Sequence, residues 1–84
     1  MPLYTPLPVY PALARQIRLS GVVKLETIVT TDGTIRSIKL LSGPALLAPA
    51  AIEAVRTWRY TEPTLYGDPI EIVMVVDVKF NLNR

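Results

Sequence analysis

Side chains able to do covalent or metal chemistry are scarce in this chain. Its 84 residues contain no cysteine and no histidine, so it offers no thiolate, no imidazole base and no customary zinc ligand set. Its carboxylates are Glu26, Asp32, Glu53, Glu62, Asp68, Glu71 and Asp77. They fall in turns or at positions expected to face solvent, without the paired spacing that general acid and base work requires. No enzymatic, cofactor or metal-dependent function is therefore expected. What remains is the chemistry of the main chain, whose N–H and C=O groups must each find a partner.

That chemistry concentrates at the end of the sequence. Ile70, Ile72, Met74, Val76, Val78, Phe80 and Leu82 alternate with Glu71, Val73, Val75, Asp77, Lys79 and Asn81. A period of two is that of a strand resting one face on a core, and no helix gathers those apolar residues on one stripe. The opposite face is apolar in the middle and polar toward the end, so the strand is expected to be covered on one side only. At about 3.3 Å per residue it would run to roughly 40 Å, longer than most strands.

The elements that position this strand follow from the chain in order. Met1 to Val9 carries Pro2, Pro6 and Pro8, a density that forbids helix and favours an extended spacer; a frayed terminus is the other reading. Tyr10-Pro11 is expected to open a short helix with proline at its first position. Leu13 and Ile17 would lie on its apolar face, Arg15 and Arg18 away from it, and Ser20-Gly21 would end it. Val22 to Thr30 reads as the first strand, with Val23, Leu25, Thr27 and Val29 on one side. Asp32-Gly33 marks a tight hairpin because both residues tolerate positive φ, and Ile35 to Ser42 returns as the second strand. Pro49 to Trp58 reads as a helix with Leu47, Ala51, Val55 and Trp58 recurring along its buried stripe, Trp58 serving as a core anchor. Glu62 to Pro69 is a loop leading into the last strand.

Composition bounds the rest. A chain of this length supports one domain with a modest core. Half of the residues are hydrophobic, which hints at apolar surface kept for self-association or a partner. The formal net charge of +2 comes from basic residues spread over every element, unlike the clustered patch with stacking aromatics that nucleic-acid binding uses. No apolar run approaches the ~20 residues of a membrane span, and the start lacks the features of a signal peptide.

The order helix, strand, strand, helix, strand predicts an α+β fold. A hairpin followed by a split β-α-β unit gives a three-stranded antiparallel sheet of order 2-1-3 with two helices packed on one face. The last strand would then lie at an edge, and its far end around Lys79 to Asn81 would extend beyond its shorter partner. An open edge invites another chain.

Several segments together resemble the C-terminal domain of TonB-type energy transducers. They are Tyr10-Pro11, Gly21-Val22-Val23, Asp32-Gly33-Thr34-Ile35, Ser42-Gly43, Leu46-Leu47, Ala50-Ala51, Ala54-Val55, Trp58-Arg59-Tyr60, Gly67-Asp68-Pro69-Ile70 and the strand ending at Phe80. Each is common alone; their order and spacing over Tyr10 to about Leu82 are specific. The resemblance implies residues 1–9 as the end of a proline-rich linker and residues 10–84 as the domain. It implies a periplasmic domain, anchored to the inner membrane in the full-length protein, that meets ExbB and ExbD through an N-terminal region absent from these residues. Its partner would be the Ton box of an outer-membrane transporter for siderophores, cobalamin or similar nutrients, added as a strand. Force derived from the proton gradient would pass through that contact.

Carried over by position, the partner-binding residues would be Val73, Val75, Asp77, Lys79 and Asn81 on the last strand, with Leu7, Val9 and Tyr10 nearby; each would otherwise be an ordinary outward residue of a one-sided sheet. Three departures bear on this. Ala48 stands where the family often has an aspartate N-cap, a loss of about 1 kcal/mol of helix stability. Pro63 comes one residue later after Trp58-Arg59-Tyr60 than in the commonest pattern. Leu7 and Val9 are apolar where a polar contact to a Ton box would otherwise be expected. The competing readings are a TonB-like binding or dimerisation module of another envelope protein, and a nucleic-acid binder, which the dispersed charge disfavours. Pairing of two copies through their last strands is also expected.

Overall fold

Alternating apolar residues build the central layer. In the computed structural model, which describes residues 2–82, the elements in chain order are β1 (Pro2–Tyr4), α1 (Ala12–Gln16), β2 (Gly21–Val29), β3 (Ile35–Ser42), α2 (Ala48–Arg56), β4 (Arg59–Tyr60), β5 (Thr64–Leu65), β6 (Asp68–Pro69) and β7 (Ile72–Phe80). Met1, Asn83 and Arg84, the outer ends of the expected linker and domain, lie outside the described residues. The main sheet has the order β3-β2-β7, antiparallel throughout. Pairing of β2 with β7 is unbroken from Gly21 opposite Phe80 to Val29 opposite Ile72. The expected overhang is therefore absent as far as Phe80, because β2 begins at Gly21 and reaches Lys79 and Phe80.

The core lies on one face of this sheet. Val23 and Leu25 from β2 and Val76, Val78 and Phe80 from β7 form one buried cluster with Leu47, Ala48, Ala51 and Val55 of the α2 region, and Val29 is buried at the far end of β2. Truncating one such leucine typically removes about 2 to 5 kcal/mol, a large share of the stability of a domain this small. Thr27 is fully buried on the same face, and its hydroxyl donates to the Met74 carbonyl at 3.1 Å, which offsets the cost of burying a polar group.

The helices differ from expectation in detail. Pro11 is extended and precedes α1 as its N-cap. Ala14 is the buried residue, whereas Leu13 and Ile17 are more than half exposed; a small side chain lets this short helix approach the core closely, turning its larger neighbours outward. Its left-handed exit is at Arg18 (φ 57°), with Leu19 N–H bonding back to the Ala14 carbonyl at 2.8 Å, while Gly21 is extended. That bond is the six-to-one closure of a Schellman motif, and Arg18 accepts the positive φ it demands. In α2 the N-cap is Leu47 rather than residue 48, with no side-chain capping bond; Ala48 is the first helical residue and is buried. The helix stops at Arg56, so Trp58 stands past its end, half-buried against the core.

Two turns are also more specific than the sequence suggested. The β2–β3 connection uses positive φ only at Gly33 (φ 86°), where an added Cβ would lie 2.1 Å from the Tyr60 carbonyl oxygen. Asp32 contributes its carboxylate instead, accepting from the Thr30 and Thr34 hydroxyls and from the Thr34 N–H. The expected 62–69 loop contains a small hairpin, β5 with β6, turning through Tyr66 (φ 52°) and Gly67 (φ 85°). The N-terminal segment is not a free end: β1 pairs antiparallel with β4.

The hydroxyl of Thr30, and after it that of Thr34, hold the Asp32 carboxyl down at about 2, from a usual 3.8. A carboxyl with a depressed folded pKa contributes stability that is complete above the unfolded value and lost as pH falls through the folded one. The urea midpoint should therefore decline between pH 3.8 and pH 2 in part through this turn, and Asp32→Asn should flatten that part of the profile while leaving the slope at neutral pH unchanged.

Candidate functional site

The alternation of β7 divides its side chains between two roles. Val76, Val78 and Phe80 go into the core, while Val73 and Val75 are 63% and 53% exposed and Asp77 and Lys79 also face outward. β7 hydrogen-bonds to β2 on one side, and among the described residues no strand lies on its other side. An edge of this kind presents a row of main-chain donors and acceptors. A half-exposed pair at the entrance, Arg36 to Glu71 at 2.8 Å, ties the residue ahead of β7 to β3.

Charge along the outer face is uneven. Asp77 has Lys24 across the ladder at 3.9 Å, both about half exposed, a contact worth little in water. Lys79 stands opposite Val22 and makes no ion pair among the described residues.

The second part of the site is the segment ahead of α1, and aromatic residues hold it in place. The Tyr10 ring meets Phe80 edge-on, with centroids 5.4 Å apart. Its hydroxyl donates to the Leu19 carbonyl, and the Arg15 guanidinium lies 5.7 Å from the ring centroid. Trp58 Nε1 donates to the Pro6 carbonyl at 3.1 Å. Thr5, Leu7 and Pro8 consequently face Asp77, Val78 and Lys79 across a cleft of about 260 Å³ that Trp58 also lines. On the far side of the same segment, Pro6, Leu7 and Val9 border a groove of about 640 Å³ against Pro49 and Ala50.

Of the residues expected from the sequence, the structure thus brings Leu7 together with Asp77 and Lys79 around the cleft. Val73 and Val75 share the outer face farther along β7. Val9 borders the other groove, Tyr10 is committed to internal contacts that anchor the segment, and Asn81 lies exposed just past β7. Trp58, Thr5 and Pro8 were missed. The signal available for Trp58 was its indole N–H, a donor that seeks an acceptor when the ring is packed against a core. Among the described residues, no group of three or more His, Cys, Asp or Glu is placed to hold a metal ion, and no helix is long and apolar enough to cross a membrane.

Comparison with known proteins bears on this arrangement. The family described as Gram-negative bacterial TonB protein C-terminal matches residues 6–82. Protein TonB of Escherichia coli (strain K12) is 38% identical over 78 residues, covering 90% of this chain and 30% of that protein. Protein tonB2 of Pseudomonas aeruginosa is 37% identical over 84 residues, 96% of this chain and 31% of that protein. The chain therefore spans about a third of the length of these relatives. The solution NMR structure of the Pseudomonas aeruginosa TonB CTD superposes with a TM-score of 0.82 at 24% identity, covering 100% of this chain and 87% of that one, a likeness of fold, including its α+β architecture.

Replacing Trp58 by phenylalanine keeps an aromatic ring but removes the donor to Pro6, a loss of about 1 kcal/mol. We expect ¹⁵N relaxation to report greater mobility at Thr5, Leu7 and Val9, with the amides of β2 and β7 unaffected. Unchanged relaxation there would mean that the segment is held without this bond.

Proposed function

We propose, from the premise that this chain belongs to the Gram-negative bacterial TonB C-terminal family, that it is the partner-binding end of a TonB-type energy transducer. In this reading the open edge of β7 receives the Ton box of an outer-membrane transporter as an added strand. The single observation that supports it is that β7, though a wall of the core, is paired on one side only among the described residues. Strand addition suits a mechanical coupling, since it needs no cofactor and sets several main-chain hydrogen bonds in parallel. The expected contact residues are Val73, Val75, Asp77, Lys79 and Asn81, with Leu7 across the cleft. Val9 and Tyr10 act less directly, Tyr10 by fixing the path of the segment.

The wider role follows from the same proposal. Residues 1–9 would be the end of a proline-rich linker, the domain would lie in the periplasm, and segments beyond these residues would anchor it to the inner membrane and engage ExbB and ExbD. Energy from the proton gradient would then reach a transporter for siderophores, cobalamin or similar nutrients. Titration of a Ton box peptide should shift the amides of Val73 to Asn81; shifts confined to the turn around Asp32, with that strand silent, would move the site elsewhere.

A second occupant of the edge is another copy of this chain. The exposed β-branched pair Val73 and Val75 supports it, because two antiparallel copies of β7 would form one continuous sheet about a two-fold axis. Sedimentation should then show a weight-average mass rising with concentration, and a monomer throughout the range would remove this mode.

A further inference from the structure

At its Lys79 end the open edge offers two different environments to an added strand. On the outer face, Asp77 has Lys24 at 3.9 Å, while Lys79 faces Val22 and lacks a carboxylate partner among the described residues. On the other face Val78 is buried, and beside it opens the cleft of about 260 Å³ walled by Thr5, Leu7, Pro8 and Trp58, to which Asp77 and Lys79 also contribute. Val78 and Lys79 are consecutive and so point to opposite faces. The residues that an added strand sets beside them are consecutive too.

We infer that this end of the edge selects a strand in which a carboxylate side chain and a bulky apolar side chain are sequence neighbours, the carboxylate meeting Lys79 and the apolar group entering the cleft beside Trp58. The inference rests on the strand-addition reading and specifies its occupant. Opposite charges on neighbouring strands attract across one face of a sheet, and like charges repel. Lys79 makes no ion pair among the described residues, so an acid placed there gains a partner and a lysine placed there is repelled. The flanking charges also pin the register. A slip of two residues keeps every side chain on its own face but moves the acid from Lys79 either to Asp77, where it meets a carboxylate, or toward the uncharged Asn81, where it loses the cation. A slip of one turns the acid toward the Leu7, Pro8 and Trp58 wall of the cleft, where it would lose hydration, and turns the apolar side chain out to water.

The test uses short synthetic peptides of alternating threonine and valine that differ only in one central pair: Glu-Val, Gln-Val, Lys-Val or Glu-Ser. With the wild-type chain at low salt, Glu-Val should bind roughly three to five times more tightly than Gln-Val, as expected of a solvent-exposed ion pair, and Lys-Val should be weakest. The Glu advantage should shrink as salt rises. Lys79→Glu should reverse the order of the Glu-Val and Lys-Val peptides. Glu-Val, but not Glu-Ser, should change the emission of Trp58. Equal affinity for Glu-Val and Gln-Val, with the amides of Val73 to Asn81 still shifting, would overturn the selectivity and leave strand addition standing. Silence of those amides with every peptide, the Ton box peptide included, would overturn both.

Discussion

The ladder between β2 and β7 is the constraint on which the other features depend. Its nine facing pairs run without a bulge from Gly21 and Phe80 to Val29 and Ile72, and side chains in a strand repeat every two residues. A slip of one position would turn Val76, Val78 and Phe80 out to water and bring Asp77 and Lys79 onto the core. The buried face of β7 thereby holds its register, and the same register decides which side chains stand on the open face. One strand serves as a wall of the core and as the candidate berth, with separate side chains assigned to each.

Coverage of that sheet is one-sided because there is little material to cover it with. One helix of nine residues and one of five, the latter contributing Ala14 to the core, supply the second layer. The outer face is left with Val73 and Val75 more than half exposed. Natural proteins usually blunt such an edge with charges, proline or a covering segment. Here Asp77, Lys79 and the proline-bearing segment from Thr5 to Pro8 all gather at one end of β7. That segment borders the edge across the cleft at this end, and the edge is bare farther along.

Aromatic residues connect that segment to the core. Trp58 packs against the buried cluster, bonds the Pro6 carbonyl and lines the cleft, while Tyr10 clasps Phe80 at the other end of the segment. The β2–β3 turn supports them from below: the Tyr60 N–H donates to the Gly33 carbonyl at 2.9 Å, in a contact so close that no side chain fits at Gly33. That contact directs the chain leaving α2 along β4, where β1 pairs with it. The position of the N-terminal segment beside β7 thus depends on one glycine, one indole N–H and one edge-on pair of rings.

Local pattern by itself determined the three long strands, the hairpin, the longer helix, the buried face of the main sheet and the lack of cysteine and histidine, because each of these is written in spacings of two or about 3.6 residues or in composition. It determined the outward set Val73, Val75, Asp77 and Lys79 for the same reason. Only the tertiary structure decided that Ala14 rather than Leu13 and Ile17 is buried, that Arg18 rather than Gly21 makes the left-handed exit, and that Trp58 leaves the helix to hold Pro6. It alone showed Tyr10 turned inward and Lys79 opposite an apolar residue. These are outcomes of packing between segments distant in the chain, such as Pro6 with Trp58, Gly33 with Tyr60 and Val22 with Lys79. Periodicity describes how one segment presents its faces and carries no information about which distant segment will meet them.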